Sequence, residues 1–345
     1  MLPVLEAVPN FSEGRDPGFL EEVARVAARS GAEVLDQSRD PDHHRSVLTL
    51  IGDPRTVERA SLAVARVARE RIDLRAHRGS HPRIGALDVL PFVPLVGCTM
   101  ADAVVVARRV GARLSEEGVP VYFYGEASTP PGRALADLRR GGVEGLGPTW
   151  PPDREPDLPA GRAGPHPTAG ATCVGARPLL LAWNLWVDGI TPAQIRSLAA
   201  EVREVGGGFP GLRALGLELP SQGALQLSMN LEDVDQRDPM EVVVAVEARL
   251  AGMGGRITRT EVIGMVPEAL VLAAAGRRLG SSEASRDRLL PVRVARHLSR
   301  RGGEDLSALL AWVASLGSEV PEEIRWAAER LGAPRHPAQV PSESE

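Results

Sequence analysis

The segment RAHRGSHPRIGALDV, residues 75 to 89, combines residue types that can move protons and bind anions. The ring of Pro82 prevents a helix from continuing and favours extended backbone at His81, while Gly79 permits a sharp turn before it. Imidazole titrates near neutral pH, and a guanidinium such as that of Arg83 stays charged and presents a planar fork to carboxylates or phosphates. The segment therefore predicts acid/base catalysis by His81 on an acidic small molecule.

Two other interpretations of these histidines are open at this point. His81 could be an ordinary turn residue without a chemical role. His77 and His81 have the i, i+4 spacing of a metal-binding pair, but that spacing brings two rings together only on a helix, which Gly79 and Pro82 disfavour. The residues DPDHH at 40 to 44 could add ligands for a divalent cation, yet nothing in the sequence fixes their geometry. We therefore expect no bound metal.

The overall composition predicts a folded protein that binds small molecules. The chain has 345 residues, of which 43% are hydrophobic, so it can bury a sizeable core and form about two domains. A formal net charge of −5 argues against nucleic-acid binding, which needs a basic surface. All 40 basic residues are arginine, which excludes lysine Schiff-base chemistry and phosphate loops that depend on lysine.

The cysteines and the apolar runs indicate the compartment. Cys98 and Cys173 are far apart and form no CxxC motif, which favours a reducing environment. The first ten residues do not resemble a leader peptide, and the most apolar run, residues 178 to 187, is too short to cross a bilayer. We expect a cytoplasmic protein that does not bind membranes.

The apolar periodicity predicts two copies of a split βαβ unit. The first copy comprises strands at 2–8, 32–36, 45–52 and 85–96 with helices at 17–30 and 54–71. The second comprises strands at 177–187, 212–218, 223–231 and 256–264 with helices at 192–205 and 238–251. Between them we expect a helix at 99–117, a strand at 119–125 and a long loop at 141–170, which is rich in proline and glycine.

The predicted fold class is thus α/β (α+β), with two similar ferredoxin-like split βαβ subdomains and further helices at the C-terminus. If the open faces of the two sheets meet, they leave a ligand tunnel between them. The expected boundaries are 1–176 for the first subdomain, 177–276 for the second, 277–333 for a helical extension and 334–345 for a disordered tail.

Polar residues follow several of the apolar strands in the first half. Asn10 lies in VPNFSEG, Asp36 and Arg45 lie in DQSRDPDHHRSV, and Gly125 and Glu126 lie in YFYGEAS. If these strand ends converge, their side chains line one pocket.

Five motifs, in this order, resemble the formiminotransferase module of glutamate formimidoyltransferases: VPNFSEG, DPDHHRSV, HPRIGALDV, VPVYFYGEAS and HPTAGATCVGAR. The resemblance runs from about residue 4 to at least residue 270 and includes no cyclodeaminase domain. It implies two α/β subdomains around a folate-binding tunnel, a homodimer, and a separate enzyme for the step that releases ammonia.

The resemblance implies that a formimino group moves from N-formimino-L-glutamate to N5 of tetrahydrofolate, a step of histidine degradation and one-carbon metabolism. Tetrahydrofolate would be the co-substrate, without a metal. His81 matches the family's catalytic histidine in HPR and would relay a proton from N5 to the leaving amine. Arg45 and Arg83 are assigned to the substrate carboxylates and the folate tail.

The loop from residue 164 to residue 170 matches the family's folate-contacting segment. The full set of expected binding residues besides the two arginines is Asn10, Asp36, Gly125, Glu126, Gly164, Pro165, His166, Pro167, Thr168, Gly170 and Asn184.

The sequence departs from the family at His44, Ser80 and Ala169, where asparagine, glutamate and tryptophan are expected. These departures motivate the second of two alternative functions, and the similar tetrahedral adducts of formyl and formimino donors motivate the first. One is a formyltransferase acting between 5-formyltetrahydrofolate and glutamate, and the other is a folate-binding protein without catalysis.

Overall fold

The computed structural model describes residues 3–232, 234, 238–266, 270, 271 and 274, so the predicted segments 277–333 and 334–345 lie outside the described residues. The helices are α1 (Pro17–Arg29), α2 (Pro54–Arg71), α3 (Met100–Glu116), α4 (Leu135–Leu138), α5 (Pro192–Val202) and α6 (Pro239–Gly252). The strands are β1 (Leu5–Ala7), β2 (Asn10–Phe11), β3 (Glu33–Asp40), β4 (Arg45–Gly52), β5 (Leu87–Pro94), β6 (Val121–Gly125), β7 (Thr172–Ala176), β8 (Leu181–Asp188), β9 (Leu212–Leu219), β10 (Ala224–Leu231) and β11 (Arg256–Ile263).

Polar caps begin the helices where the sequence predicts them. The side chain of Asp53 accepts hydrogen bonds from the first turn of α2, in which Pro54 supplies a preset backbone angle. Thr99 and Thr191 form reciprocal capping boxes at the starts of α3 and α5. These local signals explain why the predicted starts of α2 and α5 match the structure.

The first sheet contains the first predicted βαβ unit. Its order is β3, β4, the interrupted strand β1/β2, β5, β7 and β6. The interruption falls at Pro9, which has no backbone N–H to donate to a neighbouring strand. β7 pairs in parallel with β5 and β6, whereas the other strand pairs are antiparallel.

The second sheet repeats the pattern with the order β9, β10, β8 and β11, entirely antiparallel. The chain passes through α5 between β8 and β9 and through α6 between β10 and β11. The first sheet has the same order for its corresponding strands, β3, β4, β1/β2 and β5. The predicted fold class, two split βαβ units, is thereby confirmed.

The first sheet carries apolar clusters on both faces. Side chains of α1, α2 and α3 form the main core with residues such as Leu50 and Phe92. On β6, Val121 belongs to this core whereas Tyr122 belongs to a smaller cluster with Leu138 and Leu146. Because successive strand residues point to opposite faces, residues of α4 and the following turn cover the face opposite the helices.

Hydrogen bonds join the two halves at two places. Ser221, in the turn between β9 and β10, donates from its backbone nitrogen at 3.0 Å and from its hydroxyl at 2.6 Å to the carboxylate of Asp42. Gly264 donates from its nitrogen to Asp36 Oδ2 at 3.2 Å. These bonds join β3 and the β3–β4 loop of the first sheet to the second subdomain, while the tunnel stays a prediction. No described helix has the length and apolar character needed to cross a membrane.

The strand predicted at 177–187 corresponds to β8, which begins later, at Leu181, after a segment that contains Pro178. β7, at Thr172–Ala176 in the first sheet, was not predicted. The predicted loop 141–170 also contains a short 3₁₀ turn, Glu144–Leu146. β7 was missed because it is short and follows a loop, and because its partners β5 and β6 lie far away in sequence.

Candidate functional site

The turn that carries His81 packs closely against the loop between β3 and β4. Ser80 donates from its backbone nitrogen to the carbonyl of Asp42 at 3.0 Å. A Cβ at Gly79 would lie only 2.3 Å from the carbonyl oxygen of His43, so the close approach requires glycine. The His81 turn is therefore held against the same loop that contacts the second subdomain.

A fully buried carboxylate, Asp88, organises the charges beside this turn. It accepts a hydrogen bond from the backbone nitrogen of Ile84 at 2.7 Å, and Arg45 Nη1 and Arg139 Nη2 lie 2.8 and 2.9 Å from its Oδ2. Arg45 also donates through Nη2 to Asn10 Oδ1 at 2.7 Å. We call Asp88, Arg45, Arg139 and Asn10 the Asp88 network.

His81 contacts this network and is partly exposed. Its Nδ1 lies 2.9 Å from the carbonyl oxygen of Pro82 and 3.0 Å from Arg139 Nη2, and its ring centroid is 5.8 Å from that of His43. Desolvation, together with the charges of Arg45 and Arg139, holds the pKa of His81 well below the usual histidine value. The ring is therefore uncharged at neutral pH and can accept a proton.

The electrostatics of Asp88 are set by its two cations. Burial on its own raises the pKa of this carboxyl, but the charges of Arg139 and Arg45 outweigh burial, so the pKa lies below the ordinary aspartate value. Burial lowers the pKa of Arg45 to about 10. Asp88 is thus a stable anion at neutral pH, and Arg45 stays a cation.

A second histidine pair lies next to the site. The rings of His44 and His77 are stacked with centroids 4.2 Å apart, and His44 Nε2 lies 3.3 Å from Glu13 Oε1. His77 Nε2 lies 2.9 Å from the His44 carbonyl, and desolvation lowers the pKa of His77 to about 4. Within the described ranges, no group of three or more His, Cys, Asp or Glu residues is placed to hold a metal ion.

The predicted folate loop, residues 164 to 170, lies beside both ends of the His81 segment. The carbonyls of Thr168 and Ala169 accept hydrogen bonds from the backbone nitrogens of Leu74 and Ala86, each at 2.9 Å. Since Leu74 and Ala86 flank the His81 turn in sequence, the structure brings the loop and the turn together.

Within this loop, His166 has a structural role. Its Nδ1 accepts from the backbone nitrogens of Thr168 and Ala169 at 3.3 and 3.1 Å, and its backbone forms two hydrogen bonds with that of Gly170. The other predicted members of the loop are Gly164, which is buried, Pro165, which is partly buried, and Pro167, which is exposed.

Arg83 was expected to bind a carboxylate, and in this structure a carboxylate of the chain itself is its partner. Arg83 Nη2 lies 2.7 Å from Glu144 Oε1. The Arg83 side chain is 11% exposed, whereas that of Glu144 is 63% exposed. The exposed glutamate can therefore swing away while the arginine stays in place.

Four predicted residues form hydrogen bonds to parts of the chain other than the His81 turn. Asp36 accepts from Gly264, and Asn184 donates to Glu261 Oε2 at 3.2 Å within the second sheet. Gly125 donates from its nitrogen to a carbonyl of a neighbouring loop, and Glu126 is exposed. In the part of the chain that the structure describes, no hydrogen bond or ion pair links these four to His81 or the Asp88 network.

Sequence reasoning missed Asp88, Arg139 and Gln226. A carboxylate inside the apolar strand GALDVLPFV was a usable signal for Asp88, because such a group needs buried partners. Gln226 of β10 is fully buried close to His43, yet its amide atoms and His43 Nε2 have no hydrogen-bond partner of good geometry among the described residues.

Comparison with known proteins identifies the family. The model of the formiminotransferase domain, N-terminal subdomain, matches residues 4–177, and that of the formiminotransferase domain matches residues 182–284. The chain therefore belongs to the formiminotransferase family.

Curated relatives agree with this assignment. The chain is 34% identical to glutamate formimidoyltransferase of Streptococcus pyogenes serotype M1, over 77% of this chain and 90% of that protein. A glutamate formimidoyltransferase of Thermoplasma acidophilum is 35% identical over 79% of this chain and 91% of its own length. The formimidoyltransferase-cyclodeaminase of Sus scrofa is 37% identical over 80% of this chain, which spans 52% of that longer protein.

Proposed function

We propose that this protein is a glutamate formimidoyltransferase, which transfers the formimino group of N-formimino-L-glutamate to N5 of tetrahydrofolate in histidine degradation. Two relatives with that name align over 90% and 91% of their lengths, which supports this reaction. The single structural observation that carries the proposal is the position of the His81 imidazole, whose Nδ1 lies 3.0 Å from Arg139 Nη2 beside the buried carboxylate of Asp88.

The reaction gives His81 a defined task. Tetrahydrofolate supplies the nucleophile, the N5 lone pair, which forms a bond to the amidine carbon. Before the carbon–nitrogen bond to glutamate breaks, a proton has to leave N5 and a proton has to reach the departing amine. His81 takes the first proton and returns it to that amine, so the imidazole ends unchanged. General acid/base catalysis of this kind contributes roughly 10²- to 10⁴-fold to the rate.

Substrate binding requires cations and polar groups near His81. Arg83 can exchange Glu144 for a carboxylate of the substrate, because its side chain is buried while that of Glu144 is largely exposed. The side chains of His43 and Gln226, which neighbour each other close to His81, offer further hydrogen-bonding groups. The loop at 164–170, which lies beside the His81 segment, is the proposed folate contact.

The direct test is an assay with purified protein, tetrahydrofolate and formiminoglutamate, without added metal. We expect 5-formiminotetrahydrofolate and glutamate in equal amounts. A parallel assay with 5-formyltetrahydrofolate and glutamate separates the formyltransferase alternative. A folded sample that turns over neither substrate pair contradicts the proposal.

The variant His81→Asn tests the role of the imidazole. We expect turnover to fall at least a hundredfold, in line with the loss of a general acid/base, while folate binding persists. Unchanged turnover would remove His81 from the chemistry. Folate binding without turnover in the wild-type protein would instead support the non-catalytic alternative.

We further propose that the protein works in the cytoplasm as a homodimer, with subdomains at 1–176 and 177–276. The two cysteines, both free in the described chain, fit a reducing compartment. Light scattering coupled to size-exclusion chromatography gives the oligomeric state: a mass twice the 36.7 kDa of the chain supports the dimer, and a monomer mass refutes it.

A further inference from the structure

Asp42 is bonded at the same time to the His81 turn and to the second subdomain. Its carboxylate oxygens accept from the backbone nitrogen of Ser221 at 3.0 Å and from the Ser221 hydroxyl at 2.6 Å. Its backbone carbonyl accepts from the nitrogen of Ser80 at 3.0 Å and from the Ser80 hydroxyl at 3.2 Å. One residue thus joins the turn between β9 and β10 to the residue that immediately precedes His81.

The loop that carries Asp42 is held on both sides, so it can transmit this contact. Asp40 Oδ1 accepts from the backbone nitrogens of Asp42 and His43, each at 2.8 Å, which fixes the start of the loop. On the other side, the close approach of Gly79 to the His43 carbonyl leaves no room for a Cβ. Because closely packed groups transmit a displacement, a shift of the Asp42 backbone has to move the His81 turn with it.

The Ser221 end of this connection is also fixed. The side chain of Gln222, the next residue in the same turn, accepts a hydrogen bond from Trp186 Nε1 at 3.1 Å. Trp186 belongs to β8 and is only 6% exposed, so the turn is tied to the interior of the second sheet. Ser221 therefore moves together with the second subdomain.

We propose that Asp42 is a positioning residue for the transfer reaction: by binding Ser221, it holds the His81 turn in its working position while the second subdomain is docked against the first. Ser221 is exposed and Asp42 is partly buried, so water can replace this contact and the contact can form again. A catalytic group that is misplaced by about 1 Å can lose about 100-fold in rate, which gives a small contact a large effect.

The first experiment follows the His81 turn in the full-length protein without substrate. Deuterium exchange of the backbone amides in the segment 77–83, measured by mass spectrometry, reports opening of the turn. We expect Ser221→Ala to accelerate this exchange roughly tenfold, the equivalent of about 1.4 kcal/mol and close to the value of one hydrogen bond. Unchanged exchange in this variant overturns the inference, because the second subdomain would then not hold the turn.

The second experiment is a double-mutant cycle on kcat, and it rests on the proposed function. Asp42→Ala keeps the backbone carbonyl that binds Ser80, so it removes only the contact to Ser221. We expect Asp42→Ala to lower kcat roughly 10- to 100-fold and Ser221→Ala roughly 3- to 10-fold, with little change in either KM.

The double variant decides whether the two residues act as a pair. It should be no slower than Asp42→Ala alone, because both substitutions break the same contact. A double variant that is slowed by the product of the two single effects overturns the inference. A wild-type protein without turnover contradicts the proposed function alone, because the exchange result does not depend on the reaction.

The matched control is Ser197→Ala, which removes an exposed hydroxyl from α5 of the same subdomain. Ser197 Oγ donates to Glu201 Oε1 at 3.0 Å, so neither exchange in the His81 turn nor kcat should change. Ser221→Thr keeps a hydroxyl at the contact and should restore most of the kcat that Ser221→Ala loses. Circular dichroism confirms folding of each variant, and Asp42→Asn is the second neutral variant if Asp42→Ala does not fold. A Ser197→Ala variant as slow as Ser221→Ala, or a threonine variant without any rescue, overturns the inference.

Discussion

Asp88 Oδ2 lies 2.8 Å from Arg45 Nη1, and this contact between a fully buried carboxylate and a nearly buried guanidinium links β5 to β4 at the His81 turn. The carboxylate also receives Arg139 and the backbone nitrogen of Ile84. One anion therefore determines the position of two cations and of the chain that leads out of the His81 turn.

The first prediction follows from this arrangement. Asp88→Asn leaves two buried cations without their anion, and breaking a buried ion pair in this way costs about 3–5 kcal/mol of unfolding free energy. Urea unfolding at pH 7.5 measures the loss. The control, Asp153→Asn, removes the same charge from an exposed pair with Arg140 and should change stability little. Equal effects of the two substitutions would contradict a central role for Asp88.

The second prediction concerns His77 and acid stability. The pKa of His77 is about 4 in the folded protein, because burial disfavours the charged ring, against about 6.5 for an exposed histidine. Between these values the unfolded chain binds a proton that the folded chain does not, so stability falls as the pH drops below 6.5. From pH 8 to pH 5 this difference amounts to about 2 kcal/mol.

The measurement for His77 compares urea unfolding at pH 8 and pH 5 in the wild-type protein and in His77→Gln, which cannot titrate. The variant should lose less stability on acidification, by about 2 kcal/mol. If the two proteins lose the same amount, the folded-state pKa of His77 is not depressed.

The third prediction concerns Gly79. A methyl group there would lie 2.3 Å from the carbonyl oxygen of His43 and 2.8 Å from the Cβ of His44. Gly79→Ala therefore forces the His81 turn away from the loop that carries these histidines, at a cost of about 1–3 kcal/mol. The midpoint temperature of thermal unfolding and kcat should both fall. Gly252→Ala, where nothing lies within 4 Å of the added methyl group, should change neither. An unchanged kcat in Gly79→Ala would show that this packing does not contribute to catalysis.

The sequence was sufficient for elements whose signals are local. The Asp53–Pro54 start of α2 and the alternation of apolar residues in β10 predict their elements with nearly correct bounds, because caps and side-chain periodicity depend on adjacent residues. The sequence did not predict β7. It is five residues long and is stabilised by parallel pairing to β5 and β6. This pairing leaves no signal in the residues next to β7 in sequence.

The same distinction between local signals and long-range contacts applies to the residues of the site. His81 was recognisable, because HPR lies in a turn between glycines and the resemblance covers it. Its partner Arg139 was not, since 58 residues separate the two and only the folded chain brings them together. Arg45 was predicted as an anion receptor, but the structure commits both its terminal nitrogens to Asp88 and Asn10. Pairing of this kind depends on tertiary structure, which residue types alone do not specify.

The last prediction tests which arginine receives the substrate carboxylate. Since Arg45 is occupied by buried partners, Arg83 is the better candidate, because its partner Glu144 is 63% exposed and can be displaced. In Arg83→Met we expect KM for formiminoglutamate to rise roughly 10- to 100-fold, the equivalent of the 1.5–3 kcal/mol of a charged hydrogen bond, with kcat nearly unchanged. Steady-state kinetics at saturating tetrahydrofolate measures both constants.

The variant Glu144→Gln supplies the control for Arg83. It removes the internal competitor but keeps a side chain of the same size, so KM for formiminoglutamate should stay the same or fall. A higher KM in Glu144→Gln would mean that the ion pair with Glu144 positions Arg83 and is not displaced by substrate. A drop in kcat with constant KM in Arg83→Met would place Arg83 in the chemical step, because an interaction formed equally in the ground state and the transition state changes KM alone.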